Sequence, residues 1–373
     1  FIADNQTGIF YPPNLLLFLL NPDFSYDAIQ GLVIFHFFFA GAAMYFCMRL
    51  LRLEAPQPRA AALAGALAFM FSGVFIAHIG NLNLIAVIAW LPLVYLALHR
   101  AILAGRSKSG IMLAIAGGVL LGVGTLAGHG QMTFLLAAYA GLYALYRALT
   151  ERALWPLAAL LILGITAAGL AAINLLPSFE AIQYSVRAQF DPGRAADYAL
   201  PWKGLLGLFA PDFFGRGQVR FWGDWPRVEY GYVGILTLFL AGAAVVSDRS
   251  RLTLFFALSA VLFALLALGD NTPLLPLLVR LVPIFPFQVP ARFVLLLDFS
   301  LAALAAVGAA RLMERPQALR SYLLAAALLA AGVLALLIWQ YRQSVDLVPQ
   351  HQRQMIMALA AFVLFAAASW LLI

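Results

Sequence analysis

The residues best suited to chemistry in this chain sit in short polar turns between long apolar runs. Two of these turns are Ala77-His78-Ile79-Gly80-Asn81-Leu82-Asn83 and Ala127-Gly128-His129-Gly130-Gln131. An imidazole near neutral pH can ligate a metal, carry a proton or partner a phosphate. Two imidazoles with the amides of Asn81, Asn83 and Gln131 would line a polar cleft; helix capping and interfacial anchoring are the plainer reading of the same residues. Asp4, in Ile2-Ala3-Asp4-Asn5-Gln6-Thr7-Gly8, is a candidate general base or metal ligand, because a carboxylate at a low-dielectric boundary gains basicity. An ordinary polar turn would also account for it. The segment Gln288-Val289-Pro290-Ala291-Arg292-Phe293 sets a guanidinium just past a proline that opens a helix well. Arg292 there suits bidentate binding of a lipid phosphate, with a snorkelling interfacial arginine as the alternative. Asp298 follows six residues later, on the order of 9 Å deeper at helical rise, where an acid needs a partner or a wet cavity; His36 falls at a comparable depth. Pro211-Asp212-Phe213-Phe214-Gly215, Trp222-Gly223-Asp224 and Glu229-Tyr230 add carboxylates and aromatic faces of the kind that bind sugars, or else simple loop turns.

The elements that hold these residues are membrane helices. Of 373 residues, 64% are hydrophobic and only 10% charged, against roughly a half and a quarter in soluble domains. The apolar runs of roughly 18 to 23 residues match the ~30 Å hydrocarbon core of a bilayer at helical rise. Strand-like alternation is absent, which removes an outer-membrane barrel. The reading is an all-α polytopic integral membrane protein with about 11 transmembrane helices. They fall at about 28–50, 59–78, 82–98, 111–127, 130–147, 154–176, 231–247, 251–268, 290–311, 320–340 and 354–373. The lone Cys47 allows no internal disulfide. The chain opens at Phe1 without a Met or a signal-peptide n-region and stops at Ile373 inside an apolar run, so it reads as a fragment truncated at both ends.

The net charge of +7 follows topology rather than forming a nucleic-acid patch. Loops after odd-numbered spans carry Arg49, Arg52, Arg59, Arg100, Arg106, Lys108, Arg147, Arg152, Arg249, Arg251, Arg311, Arg315 and Arg320, against only Glu54, Glu151, Asp248 and Glu314. Those loops are expected in the cytoplasm, and the opening segment and even loops outside. Three outward segments stand out within the single transmembrane domain 1–373. Residues 1–27 hold Phe10-Tyr11-Pro12-Pro13-Asn14 and then Leu15 to Leu20, too short to span and suited to an interfacial piece. Residues 177–230 form a long loop with Trp202, Trp222 and Trp225, and 269–289 is a re-entrant or surface segment with Pro273, Pro276, Pro283 and Pro286. Gly118, Gly122, Gly124 and Gly128 form small-xxx-small pairs that permit close helix approach.

Taken in order, Phe-Ile-Ala-Asp before Phe10-Tyr11-Pro12-Pro13-Asn14, Phe71-Ser72-Gly73 with His78 and Asn81, and Ala127-Gly128-His129-x-Gln131 resemble the YfhO-like bacterial membrane proteins. Pro211-Asp212-Phe213-Phe214-Gly215, Glu229-Tyr230-x-Tyr232-Val233-Gly234, Leu268-Gly269-Asp270-Asn271-Thr272-Pro273 and Val289-Pro290-Ala291-Arg292-Phe293 extend the resemblance over nearly the whole chain. That family is similar to the GT-C glycosyltransferases, which move a sugar from a polyprenyl-phosphate carrier to an acceptor outside the cytoplasmic membrane. The resemblance implies a GT-C-like fold in a bacterial inner membrane, with the active face outside. It implies a hexosyltransferase acting on a polyprenyl-phosphate-linked sugar and an acceptor such as a cell-envelope polymer, with membrane lipids as further partners and no nucleic acid. Asp4 would then be the catalytic base or a metal ligand. His78, Asn81, His129, Gln131, Asp212, Trp222 and Glu229 would shape the substrate site, and Arg292 would hold the carrier phosphate. A divalent metal ion, with Asp4, His78 and His129 as ligands, is a candidate cofactor. The rival readings are a lipid or polysaccharide transporter or flippase, and a non-catalytic envelope-assembly protein.

Overall fold

A computed structural model describes residues 5–21, 23, 25–51, 57–184, 198–216, 220–222, 225, 227–281, 289–314, 319–344 and 349–372. In chain order the helices are α1 Pro12–Leu20, α2 Tyr26–Leu50, α3 Pro58–Met70, α4 Gly73–Ala77, α5 Leu82–Ile88, α6 Leu91–Leu103, α7 Lys108–Thr125 and α8 Gly130–Glu151. They continue as α9 Trp155–Gln183, α10 Ile235–Ser247, α11 Arg251–Ala267, α12 Leu274–Leu281, α13 Val294–Glu314, α14 Leu319–Arg342 and α15 Pro349–Leu372. The one strand pairing among the described residues is a two-residue antiparallel match of Gly215–Arg216 with Arg220–Phe221.

Eight helical segments among the described residues are long and apolar enough to cross a membrane. Each coincides with a predicted span. The other three predicted spans are also helical: Ile235–Ser247 and Arg251–Ala267 are shorter than expected, and the third lies within α14. The shortening of the first has a local cause. The span was expected from residue 231, yet Gly231 and Gly234 take φ of 69° and 92°, outside the right-handed helical region. The helix therefore starts only at Ile235, and its 13 residues cover ~20 Å at helical rise. The segment 269–289 includes the eight-residue α12, whose Leu277 and Leu281 are exposed; residues 282–288 lie outside the described set. Helix α1 exposes Leu15, Leu16, Phe18, Leu19 and Leu20.

The chain divides into two units, Phe1–Leu51 with His78–Asp191, and Arg52–Ala77 with Pro192–Ile373. In the first, α7 packs along α9, and α6 along α7. Gly118 and Gly122 meet Leu163, Thr166, Ala167 and Leu170 of α9, so the close approach expected from their spacing is realised. The core of this unit is aromatic: Tyr95, Tyr139 and Tyr143 are buried, and the Tyr143 hydroxyl accepts from Arg147 at 2.6 Å and donates to His99 Nδ1 at 2.5 Å.

In the second unit α13 is the central helix, packed by α3, α10 and α11 and buried along nearly its whole length. Aliphatic side chains and the rings of Phe69, Phe256 and Phe299 fill this interior, and Gly308 lets α10 approach so closely that a Cβ there would collide with the Leu240 carbonyl. One end of α13 is tied to the α10–α11 connection by Arg311, which donates to Asp248 at 3.1 Å. Burial works to raise the pKa of Asp248, but hydrogen bonds from Thr253 and Ser250 and the charge of Arg311 outweigh it and hold the carboxyl below its ordinary value. Helices α14 and α15 pack as a pair against α10, over Phe213, Phe214, Phe239, Tyr322, Leu337, Met355 and Phe362.

The glycine contact in α13 sets the first prediction. Gly308→Ala forces α10 and α13 apart and should cost about 1–3 kcal/mol by overpacking, seen as a lower melting temperature of the detergent-purified protein. Gly332→Ala, on α14 with nothing within 4 Å of the added carbon, should match or slightly exceed the parent in stability. Equal melting temperatures for the two variants would contradict the packing.

Candidate functional site

Three of the motifs singled out in the sequence converge in the second unit. Glu229 is the centre. Its side chain is 1% exposed, and a carboxylate so buried stays ionised only if cations and hydrogen-bond donors reach it. Arg227, two residues earlier, donates from Nε to Oε2 at 3.0 Å and from a terminal nitrogen to Oε1 at 2.6 Å. The Val228 amide adds a bond of 3.2 Å. Arg292, brought by the 3-10 turn Pro290–Phe293 that leads into α13, stands 3.7 Å from Glu229 Oε1. Two guanidinium groups around one carboxylate leave one surplus positive charge. Arg227 also lies 4.8 Å over the ring of Tyr198, a cation–π contact that fixes its plane. The Tyr198 carbonyl accepts from the Ala291 amide at 3.4 Å, so the segment whose ring lies under the Arg227 guanidinium is joined to the turn that carries Arg292.

Below this cluster lies Asp298 on α13, fully buried, with the Val74 amide and the Ser72 hydroxyl as the donors nearest its carboxyl. The segment after Glu229 covers it: a Cβ on Gly231 would lie 3.4 Å from Asp298 Oδ1. The next residue, Tyr232, accepts from the Gly73 amide at 2.5 Å. The motifs Phe71-Ser72-Gly73, Glu229-Tyr230-Gly231-Tyr232 and Pro290-Ala291-Arg292-Phe293 therefore form one packed neighbourhood.

Two further sequence candidates flank it. Trp222 sits over the turn that carries Asp212, donating from Nε1 to the Phe213 carbonyl at 3.1 Å and from its amide to Phe214 at 2.9 Å. Asp212 itself is exposed. Tyr230 closes the same turn through a 3.1 Å bond to the Gly215 carbonyl. One face of the Trp222 ring is stacked on His351 at the start of α15, 4.7 Å between centroids and 14° from parallel.

In the first unit, His78 is buried and its carbonyl accepts from the Asn81 amide at 2.7 Å, closing the turn before α5. His129 occupies the N-cap position of α8, with Gln131 in its first turn. Neither Asn81 nor His129 makes a side-chain capping bond, so capping, the plain explanation for polar residues at these positions, is not what they do here. The opening segment reaches the second of these turns: Gly8 lies against the Ala127 carbonyl, and Asn14 donates to Gly8 at 3.0 Å. A buried relay anchors that segment. Trp90 donates to the Tyr11 hydroxyl at 3.0 Å, Tyr11 donates to His36 Nε2 at 2.9 Å, and His36 Nδ1 donates to the Leu32 carbonyl at 2.7 Å. Asp4 lies outside the described residues. Among the described residues no three His, Cys, Asp or Glu side chains gather into a metal-holding group.

The full motif order, its packing around Glu229 and a helical chain of this apolarity agree with a match of the sequence to the family described as "Bacterial membrane protein YfhO", over residues 10–373. The chain belongs to this family. Comparisons with curated proteins and with solved structures return no match. Within this YfhO-family chain, sequence reasoning found Glu229 and Arg292 but missed Arg227, Tyr198 and His351. Arg227 had a faint local signal, a cation two residues from the carboxylate in an extended segment; Tyr198 and His351 lie far along the chain and had none.

The cluster predicts a charge-dependent stability. Glu229→Gln leaves two guanidinium groups facing each other and should cost about 2–4 kcal/mol. Adding Arg227→Gln to that variant should restore part of the loss, a coupling that a double-mutant cycle of thermal unfolding measures. Additive losses would show that the pair is not coupled.

Proposed function

We propose that this YfhO-family protein transfers a sugar from a polyprenyl-phosphate carrier to an acceptor on the outer side of the cytoplasmic membrane. The observation that carries the reading is the Arg227–Glu229–Arg292 cluster, with its surplus positive charge at the mouth of a helix apolar enough to enter a bilayer. A lipid phosphate is an anion held at that depth by its own tail. Guanidinium groups oriented by a fixed carboxylate suit it, since their geometry is set before the ligand arrives. The arginine-rich loops after the odd-numbered predicted spans support an outward-facing mouth in this reading, by the positive-inside rule.

In this reading an acceptor hydroxyl attacks the anomeric carbon, the bond from that carbon to the phosphate oxygen breaks, and the hydroxyl proton passes to a carboxylate base. The departing polyprenyl phosphate keeps the electron pair, and Arg227 and Arg292 steady its charge. Asp4 is the base to which the family resemblance points. His78, Asn81, His129 and Gln131 serve as polar contacts to donor or acceptor, and Asp212 and Trp222 as contacts to sugar hydroxyls and faces. The exposed leucines of α1 and α12 fit segments that lie in the membrane interface beside a lipid-borne substrate.

One observation favours a second reading, a lipid or polysaccharide transporter. Asp298 is an acid buried within an apolar helix, the placement that ion-coupled carriers use.

The two readings separate in one assay on the full-length protein, supplied with a radiolabelled polyprenyl-phosphate sugar and acceptor membranes. Arg227→Ala and Arg292→Ala should each weaken donor binding by about tenfold or more. Asp4→Asn should keep donor binding and lower turnover by about a hundredfold or more. Transfer unchanged in all three variants discards the site, and donor movement across vesicles without glycosidic product supports the transporter.

A further inference from the structure

Beside the arginine cluster the backbone holds one bulky side chain in a conformation that costs energy. Tyr198 takes φ of 61°, in the left-handed region that such residues rarely adopt. Strain of this kind persists only where the surroundings fix it, and it gathers at functional sites. Here the segment is held from two directions. The Tyr198 carbonyl accepts from the Ala291 amide at 3.4 Å, and two residues on the Leu200 amide donates to the Ala267 carbonyl at 2.9 Å. The Asn271 side chain donates in turn to the Leu200 carbonyl at 3.1 Å. Gly269, at φ 57°, packs so closely that a Cβ there would collide with Ala199. The motif Leu268-Gly269-Asp270-Asn271 therefore grips residues 199 and 200.

What this clamp presents is the ring. Leu200 and Ala291 are fully buried, whereas Tyr198 is 53% exposed. The Arg227 guanidinium lies 4.8 Å from the ring centroid, and the same guanidinium bonds Glu229. The aromatic surface and the arginine pair are therefore neighbours. A tyrosine needs no strained backbone merely to be exposed, since single exposed aromatics are ordinary. The strain has a use if the ring must stand at one fixed place beside the arginines, because a ligand contact set in advance loses less entropy on binding.

We propose that the Tyr198 ring is the surface on which the sugar of a phosphate-linked donor packs, while Arg227 and Arg292 hold the phosphate. This rests on the sugar-transfer reading and adds the residue that recognises the sugar. A pyranose presents a face of C–H groups polarised by its oxygens, and such a face packs on the electron-rich face of an aromatic ring. A sugar joined directly to phosphate must lie next to whatever holds that phosphate, and Tyr198 is an exposed ring in contact with Arg227. The contact uses the ring and not the hydroxyl.

The test uses the full-length protein purified in detergent and two short-chain phosphodiesters of equal charge, a neryl phosphate hexose and methyl neryl phosphate. The hexose is the one the parent binds best among glucose, galactose, mannose and N-acetylglucosamine. By titration calorimetry the parent should bind the sugar-bearing diester about five- to tenfold more tightly than the methyl diester. Tyr198→Leu should bring the two affinities within about twofold by weakening the sugar-bearing ligand alone. Tyr198→Phe, which keeps the ring, should keep the preference. If Tyr198→Leu does not fold, Tyr198→Gly, which relieves the backbone strain, decides, and it should lose the preference too. Equal weakening of both ligands in these variants overturns the proposal, since the ring then only orients Arg227, and so does a preference that survives them. A parent that binds the two diesters equally overturns the sugar contact and leaves the sugar-transfer reading standing. A parent that binds neither overturns both.

Discussion

The second unit is organised by the need to keep the Glu229 carboxylate charged in surroundings that disfavour charge. A group 1% exposed cannot lean on water, so its cations must come from the protein, and each arrives at a geometric cost. Arg227 comes from the same loop, which obliges the chain to lay its guanidinium across Tyr198. Arg292 comes from the turn Pro290–Phe293, which obliges α13 to begin beside that loop. The 3.4 Å bond from Ala291 to Tyr198 then follows, because a loop and a helix mouth that share one carboxylate also bring their backbones into register. Ion pairs of this kind add little net stability compared with apolar packing, but they discriminate strongly against other arrangements of the same segments. Their worth here is in fixing one path for residues 227 to 234.

The same shortage of water governs the backbone. At the α3–α4 break the partner comes from another irregular segment. The Gly73 amide, released at the α3–α4 break, is met by the Tyr232 carbonyl, released by the positive-φ glycines on either side of it. Neither segment could be irregular alone. Glycine at 73 is needed because a Cβ would stand 3.0 Å from that carbonyl, and glycine at 231 because its backbone conformation is poorly open to other residues.

This explains what was legible in the sequence. Apolar run length is a property of each segment by itself, so the helical spans could be read directly, and the two close-packing glycines of α7 could be read from spacing. The late start of α10 was missed because the hydropathy of Tyr232, Val233 and Ile235 is that of a span, while Gly231 packs on Leu208, Val294 and Asp298 and Tyr232 bonds to Gly73, contacts distant in the chain. The division into two units, with residues 52–77 joined to the C-terminal part, leaves no mark on composition at all. For the site, Glu229 and Arg292 stood out because charge is scarce in this chain. Tyr198 and His351 did not, because aromatic and amphipathic residues are ordinary at loop positions until a partner is seen beside them.

The arginine cluster and the buried acid are mechanically one object. Glu229 and Gly231 are separated by a single residue, and Tyr230 between them is pinned to Gly215 by its hydroxyl at 3.1 Å. Arg292 and Asp298 ride on one continuous run from the 3-10 turn into α13. A ligand that draws Arg292 away from Glu229 therefore acts on the segment whose next turn touches Asp298. Two sites joined by so short a stretch of backbone influence each other through displacement of that stretch, and the influence is reciprocal in free energy. The geometry of this neighbourhood thus ties any movement of Arg292 to the surroundings of the acid beneath it.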